Sequence, residues 1–140
     1  MRAFVARSLI VVLAFVAVAS AQKRDITEKD LFDFAWIGDP QVSPDGSTVA
    51  FVRVTVNEKK DGYNTSIWSV PASGGDGPRR LTSGDRDSSP RWSPDGRYVA
   101  FVRVTEKDGK PDHPQLFMLA MSGGDSFQFT SLPNGAGQPK

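Results

Sequence analysis

A sixteen-residue segment of this sequence occurs twice. Residues 40–55 and 90–105 agree at twelve of sixteen positions. Both copies contain Ser-Pro-Asp-Gly and, after two further residues, the heptapeptide Val-Ala-Phe-Val-Arg-Val-Thr. An identity this high at a fixed separation of 50 residues indicates an internal structural repeat, and any fold for the chain has to accommodate it.

Each Ser-Pro-Asp-Gly segment predicts a tight hairpin turn. Proline fixes φ for the first corner, aspartate can bond the backbone of the turn, and glycine takes the positive φ that closes it. The runs that follow, residues 49–55 and 99–105, are rich in β-branched and aromatic residues and predict strands. Because these runs are apolar at nearly every position, we expect both faces of each strand to be covered.

The repeat continues beyond these strands. Residues 67–76 and 116–125 share an apolar strand pattern that ends in Gly-Gly-Asp, and residues 80–83 and 128–131 predict a short outermost strand. Four antiparallel strands in about 50 residues are typical of a β-propeller blade. The predicted fold class is therefore all-β, with two four-stranded antiparallel blades of an incomplete β-propeller, over residues 38–86 and 87–132. Residues 133–140 are expected to begin a third repeat.

The first twenty-one residues predict a cleavable signal peptide. Arg2 and Arg7 form a basic start, residues 8–18 an apolar core, and residues 19–21 a small-x-small cleavage site before Gln22. The alternative, a membrane anchor, is disfavoured because the apolar run is shorter than the roughly 20 residues that span a bilayer. The chain has no cysteine, so it has neither a lipidation cysteine nor a disulfide. We expect a periplasmic or secreted protein with no stable membrane anchor.

The net charge points to no polyanionic partner. The whole chain has 17 basic and 16 acidic residues, and loss of Arg2 and Arg7 with the signal peptide leaves 15 and 16. A near-neutral chain has no basic patch for nucleic acid or for an anionic membrane surface. We therefore expect no nucleic-acid partner.

Residues 22–37 predict a linker and a short helix that precede the blades. Thr27 can cap the helix, and Leu31, Phe34 and Ala35 lie on one face at i, i+3 and i+4. The helix is expected to reach Trp36. Two interpretations of its apolar face stay open: packing on the first blade, or packing against a second domain.

The order of these parts resembles a known family. Residues 92–96, followed by Val99-Ala100-Phe101, a Gly-Gly turn and a Leu81-Thr82-type ending, resemble the blades of TolB-like (WD40-like) propellers. The segment from Thr27 to Leu31, followed by residues 39–46, is similar to the N-terminus of prolyl oligopeptidase family serine peptidases of the dipeptidyl-peptidase and acylaminoacyl-peptidase kind. The resemblance covers everything after about Asp25.

The resemblance implies a function for the whole protein. In that family the propeller covers the active site and restricts access to peptide-sized substrates, while a C-terminal α/β-hydrolase domain performs the hydrolysis. The implied partners of this chain are that catalytic domain, the remaining blades and a peptide substrate. The alternative is a non-enzymatic TolB-like binding propeller of the periplasm, since it has the same blade.

The chain itself has no recognisable catalytic machinery. A serine hydrolase needs a Gly-x-Ser-x-Gly elbow with an acid and a histidine, and no such pentapeptide is present. Ser43 and Ser93 stand beside proline and are interpreted as turn residues, and His113, the only histidine, falls in a polar loop. Residues 85–89 begin like a calcium loop, but Pro90 and Gly96 stand where that loop needs a glycine and a glutamate, and residues 73–77 lack the lysine of a P-loop. Both segments are interpreted as turns, and we expect no catalytic residue, no cofactor and no metal.

Arg53 and Arg103 are the charged residues that need an explanation. Each stands inside an apolar strand, where an unpaired guanidinium is costly. One hypothesis pairs them with carboxylates within or between blades, with Asp45 or Asp95 as candidates. The other has them contact a substrate from the propeller channel.

Two blades fall short of a closed propeller, which has about four to eight. A third Ser-Pro-Asp-Gly is due near residue 143, beyond Lys140. We therefore expect the front part of a longer protein, whose isolated blades are prone to associate through uncovered apolar faces.

Overall fold

The structure is a computed structural model that describes residues 24–140. The predicted signal peptide, its cleavage site between Ala21 and Gln22, and the first residues of the linker lie outside the described residues. In the described part of the chain, no helix is long and apolar enough to cross a membrane.

The described residues form one short 3-10 helix and ten strands. The helix is Glu28–Phe32 and the strands are β1 (Ala35–Val42), β2 (Thr48–Val56), β3 (Tyr63–Pro71), β4 (Arg79–Arg80), β5 (Asp87–Trp92), β6 (Tyr98–Arg103), β7 (Glu106–Lys107), β8 (Lys110–Pro111), β9 (Gln115–Ala120) and β10 (Phe127–Gln128). They build two antiparallel four-stranded sheets in the orders β1-β2-β3-β4 and β5-β6-β9-β10, and β7 and β8 form a separate hairpin. The predicted all-β fold with two four-stranded units is confirmed.

The predicted helix differs from the observed one in length. It was expected to reach Trp36, but it ends at Phe32, and Ala35 and Trp36 already belong to β1. Their backbone pairs with Thr55 and Val54 of β2. An isolated helix of about ten residues is marginal in water, so a ladder with a neighbouring strand outcompetes it.

The two Ser-Pro-Asp-Gly turns have the same geometry. In the first, the Ser43 amide donates to the Thr48 carbonyl at 2.8 Å, and the Gly46 amide donates to the Ser43 carbonyl at 2.9 Å. Ser93 and Gly96 repeat both bonds in the second turn. Gly46 and Gly96 have φ of 73° and 70°, which an L-residue with a side chain adopts only with strain. The predicted turn is confirmed in both copies.

The first strand of each blade has a bulge at the same repeat position. The register shifts between Gly38 and Gln41 in β1, and between Ser88 and Arg91 in β5. At each shift a non-glycine residue is left-handed, Asp39 with φ 45° and Ser89 with φ 55°, and a proline follows it. The extra residue bends the strand and moves each following side chain to the opposite face of the sheet.

The core lies between the two blades. Ile67 of β3 packs with Phe101, Phe117 and Leu119 of the second blade, and all four are buried. In β2 the consecutive residues Ala50, Phe51 and Val52 are also buried. Side chains of consecutive strand residues point to opposite faces, so this stretch has buried residues on both faces of the strand. Within residues 24–140 the second blade covers the face that carries Ala50 and Val52, and a cavity of about 270 Å³ lies on the Phe51 side.

The outermost strands are short and begin one residue earlier than predicted, at Arg79 and Phe127. Beyond each of them the chain is held by a threonine. The Ile67 amide donates to the Thr82 hydroxyl at 3.1 Å, and the Leu116 amide donates to the Thr130 hydroxyl at 2.9 Å. A side chain thus replaces a backbone carbonyl as acceptor, which explains why the repeat ends in threonine.

Candidate functional site

Ser43 and Ser93 use their hydroxyls within the turns. The Ser43 Oγ donates to Asp45 at 2.6 Å and accepts from the Thr48 amide at 3.0 Å. Ser93 makes the same two bonds, to Asp95 at 2.6 Å and from the Tyr98 amide at 2.9 Å. Both hydroxyls therefore hold a turn closed, in line with the turn interpretation.

The hydrogen bonds to the turn carboxylates favour their charged form. Bonds from Ser43 and then from Ser47 lower the pKa of Asp45 to about 2. Bonds from Ser93 and from Arg97 likewise hold the pKa of Asp95 well below its usual range. A cleft of about 430 Å³ lies between the two turns, with Trp92 and Met121 among its lining residues. The carboxylates of Asp45 and Asp95, which line this cleft, already accept hydrogen bonds from residues of their own turns.

Within residues 24–140, no histidine side chain hydrogen-bonds a serine. His113 is exposed, and its backbone amide donates to Asp112 at 2.7 Å. Over the same residues, no group of three or more histidine, aspartate or glutamate side chains is placed to hold a metal ion. The described geometry offers no nucleophile with an adjacent general base.

Arg103 pairs with Asp87 and not with Asp95, so the predicted partner was wrong. Arg103 Nε and Nη2 donate to the two Asp87 carboxylate oxygens at 2.7 and 2.8 Å. Asp87 is fully buried, and the Arg103 guanidinium also lies 5.0 Å from the Phe117 ring centroid. The bond to Asp87 raises the pKa of Arg103 above its ordinary value. The hypothesis that the strand arginines pair with carboxylates is confirmed for Arg103.

Arg53 has a different environment, although it stands at the same repeat position. Its cross-strand partner is Ile37, where Arg103 has Asp87. The Arg53 guanidinium lies 4.7 Å from the Trp68 ring centroid, an arrangement with cation–π attraction. Among the described residues it has no ion pair, so pairing with Asp45 was also wrong. Asp45 instead accepts from Ser43 and Ser47.

Asp87 is the polar residue that the sequence interpretation missed. Residues 85–89 were interpreted as a turn, but Asp87 begins β5. The repeat contained a signal for this role. Asp87 stands 50 residues after Ile37, at the equivalent repeat position. A carboxylate at a position that is apolar in the other copy indicates a cationic partner nearby. Which residue is that partner could not be predicted, because the bulge in β5 shifts the strand register by one residue.

A polar cluster joins the first strands of the two blades, and we call it the inner-strand cluster (Asp39, Gln41, Arg91 and Trp92). Asp39 accepts from Arg91 at 2.8 Å and from Gln41 at 2.7 Å. The Trp92 indole N–H donates to the Gln41 carbonyl at 3.0 Å. The bulge turns Asp39 toward the next blade, so the left-handed residue serves contact between blades.

Comparison with known proteins gives related sequence and a shared fold. Over 117 residues, 84% of its length, the chain is 38% identical to the uncharacterized peptidase YuxL of Bacillus subtilis (strain 168). The Pyrococcus horikoshii acylaminoacyl peptidase superposes on 72% of the chain with a TM-score of 0.55 at 24% identity. The β-propeller domain of the Trilobed protease from Pyrococcus furiosus superposes on 69% with a TM-score of 0.54 at 23% identity. No family profile matches the chain.

The predicted resemblance to a peptidase propeller is confirmed. The chain spans 17% of the length of YuxL, 14% of the acylaminoacyl peptidase and 28% of the propeller domain. At these identities the two solved structures support its fold alone. Its similarity in sequence is to a peptidase.

Proposed function

We propose that the chain is the propeller segment of a serine-type peptidase, in which a separate α/β-hydrolase part carries out peptide hydrolysis. The observation that carries the proposal is the 38% identity to an uncharacterized peptidase over 84% of the chain. The absence of a nucleophile–base pair among residues 24–140 is compatible with it, because the chemistry is assigned to another part of the protein.

In this proposal the propeller restricts access to peptide-sized substrates. The first strands of the blades, β1 and β5, adjoin one another, and in a closed propeller such strands surround the central channel. The inner-strand cluster would then lie at the channel wall. Because Asp39 and Arg91 neutralise each other, the cluster would limit the width of the channel and would not bind the charged terminus of a peptide.

The gene itself tests the proposal. We expect the DNA downstream of the Lys140 codon, read in frame and past any stop, to encode further Ser-Pro-Asp-Gly repeats. A Gly-x-Ser-x-Gly segment with an aspartate and a histidine should follow them. Repeats that close without that segment would contradict the peptidase proposal and indicate a TolB-like binding propeller.

A labelling experiment on the protein complements the DNA sequence. A fluorophosphonate probe, which reacts with activated serines, should label the product of the complete reading frame. The 140-residue chain should stay unlabelled and serves as the matched control, since Ser43 and Ser93 are bonded within their turns. Loss of labelling on substitution of the Gly-x-Ser-x-Gly serine would assign the nucleophile.

Export from the cytoplasm is also a proposal, supported by the sequence of residues 1–21. N-terminal sequencing of the protein recovered from a bacterial periplasm or medium should begin at Gln22. A protein that keeps Met1 and stays in the cytoplasm would contradict export and would leave the peptidase proposal untouched.

A further inference from the structure

An aromatic cluster lies at one end of the first sheet. The rings of Trp36 in β1 and Tyr63 in β3 meet edge to face across β2, with 5.9 Å between their centroids. Phe32 of the helix lies beside the hairpin that joins β2 and β3, with Lys60 Nζ 4.7 Å from its ring centroid. We call these three residues the aromatic ledge (Phe32, Trp36 and Tyr63). They are 42%, 45% and 65% exposed in the described structure.

The second blade does not repeat this cluster. Arg86 stands 50 residues after Trp36, and Asp112 stands 49 residues after Tyr63, the separation at which the β9 positions follow those of β3. Arg86 forms an exposed ion pair with Glu106 at 3.4 Å. Charged residues suit a rim in contact with water, whereas clustered exposed aromatic residues mark an interaction surface. The first blade therefore has a contact at this rim that the second blade lacks.

Further blades would not cover the ledge. Trp36 and Tyr63 lie on the same face of the first sheet as Val52 and Ile67, because side chains alternate along a strand. That face already packs on the second blade. The second blade stops one repeat position before the ledge, since β6 ends at Arg103 and the chain continues into the separate hairpin of β7 and β8. Each face of a propeller blade meets one neighbouring blade, so the occupant of the ledge comes from outside the ring of blades.

We propose that the α/β-hydrolase part of the same polypeptide docks on the aromatic ledge. The inference rests on the proposed function and names the surface at which its two parts meet. In that function the catalytic part lies outside residues 24–140, and the chain spans 17% of the length of the related peptidase YuxL. Trp and Tyr are among the residue types that contribute most binding energy at the centre of protein interfaces.

The ledge also defines the surface that fits it. The rings of Trp36 and Tyr63 require an apolar surface opposite them, because interface centres are depleted of charge. Lys60 lies at the edge of the ledge, beside Phe32, and calls for a carboxylate at the rim of the contact. Of the two interpretations of the apolar residues before β1, the proposal adopts packing against a second domain.

A photo-cross-linker at position 63 tests the contact in the product of the complete reading frame. Tyr63→p-benzoylphenylalanine keeps an aromatic side chain at this position. On irradiation it should cross-link, within one polypeptide, to a peptide of the part that contains Gly-x-Ser-x-Gly. Ser73→p-benzoylphenylalanine is the matched control, since Ser73 is exposed and follows the opposite end of β3. The two ends of this strand lie about 26 Å apart, so the control should not cross-link to that part.

Substitution of Tyr63 tests whether its ring stabilises the contact. Tyr63→Asp introduces the residue type that the second blade has at this repeat position, so the sheet should tolerate it. Protease cleavage between the propeller and the catalytic part follows the fraction of molecules in which the two parts are separated. In the complete product, Tyr63→Asp should raise that cleavage rate at least about tenfold, as loss of an interface hot spot does. Tyr63→Phe keeps the ring and Ser73→Asp adds the same charge elsewhere, and both should leave the rate unchanged.

Each other result overturns the proposal. A cross-link from position 63 to another blade or to a second copy assigns the ledge a different occupant, and the absence of any cross-link leaves it without one. Equal cross-linking from position 73, or a cleavage rate that Tyr63→Asp does not change, places the contact elsewhere.

Failure of the docking and failure of the proposed function are distinguishable. A reading frame without Gly-x-Ser-x-Gly contradicts both, and the DNA sequence alone shows it. A protein that reacts with the fluorophosphonate probe but cross-links elsewhere from position 63 contradicts the docking only.

Discussion

Asp87 is a fully buried charged residue at the start of the second blade. It is a buried carboxylate with both oxygens bonded to Arg103, whose guanidinium also packs over Phe101 and Phe117. Taking two charges out of water costs free energy, and only complete pairing offsets that cost. Each partner therefore makes burial of the other possible.

Replacing Asp87 should be strongly destabilising. We expect Asp87→Ala to lower the free energy of unfolding by about 3–5 kcal/mol, because it leaves the mostly buried guanidinium of Arg103 without a carboxylate. Urea unfolding followed by tryptophan fluorescence measures the loss. The control is Asp85→Ala, which breaks an exposed pair with Arg80 and should cost at most about 1 kcal/mol. Equal losses in the two variants would contradict the assigned role.

Gly84 is required by close approach and not by its φ. A Cβ at this position would lie 2.6 and 2.7 Å from the Asp87 oxygens and 2.8 Å from Arg103 Nε. We expect Gly84→Ala to cost about 1–3 kcal/mol of unfolding free energy through overpacking. Gly77→Ala is the matched control, since open space surrounds it. A neutral Gly84→Ala would mean that the ion pair can shift without loss.

At the level of the element, the repeat determines most of what can be predicted. Turn chemistry and apolar runs place the two turns and the strands after them, because each depends on a few neighbouring residues. The helix end at Phe32 and the start of β1 at Ala35 depend on pairing with β2, which sits some 20 residues away in the chain. The residues near the helix end therefore do not by themselves predict where the helix stops and the strand begins.

The bulges explain why the arginine partner could not be predicted. Counting outward from the turn pair Trp92 and Val99 without a bulge places Asp87 opposite Val104. One extra residue between Ser88 and Arg91 brings Asp87 opposite Arg103 instead. A shift of one residue exchanges the faces of a strand, so cross-strand partners follow only once the bulge is known.

Protonation of the Asp45 carboxylate in the first turn should lower the stability of the fold at acid pH. The pKa of Asp45 is about 2 in the folded chain, below its ordinary value of 3.8. A carboxyl whose pKa is depressed by folding contributes stability above its unfolded pKa and loses it as the pH falls through the folded value. We expect stability to decline between about pH 4 and pH 2, and Asp45→Asn to flatten that decline. Urea midpoints across this range measure it, and an unchanged slope in Asp45→Asn would contradict the assignment.

At the scale of the molecule, the blades are stabilised by their contact. Ile67 comes from the first blade, whereas the rest of its buried cluster comes from the second. Asp39 and Arg91 link the same blades at their inner edge, with each side chain about a third exposed. The apolar cluster therefore contributes more than the ion pair.

Truncation of Ile67 should loosen both blades together. We expect Ile67→Ala to cost about 2–5 kcal/mol and to speed amide hydrogen exchange in β6 and β9 as well as in β2 and β3. Val42→Ala, at an exposed position of the first blade, is the control and should cost well under that amount. Faster exchange confined to the first blade would show that the blades unfold independently.

The order of the strands has a consequence for synthesis on the ribosome. Each strand of the first blade pairs with the next one along the chain, so that sheet can form before residue 87 has been translated. Until the second blade emerges, the face of the first sheet that carries Ala50, Val52 and Ile67 is open to other nascent chains. In a chain that ends at residue 86, the amide hydrogens of β3 around Ile67 should therefore exchange faster than in the 140-residue chain, where Ile67 is buried.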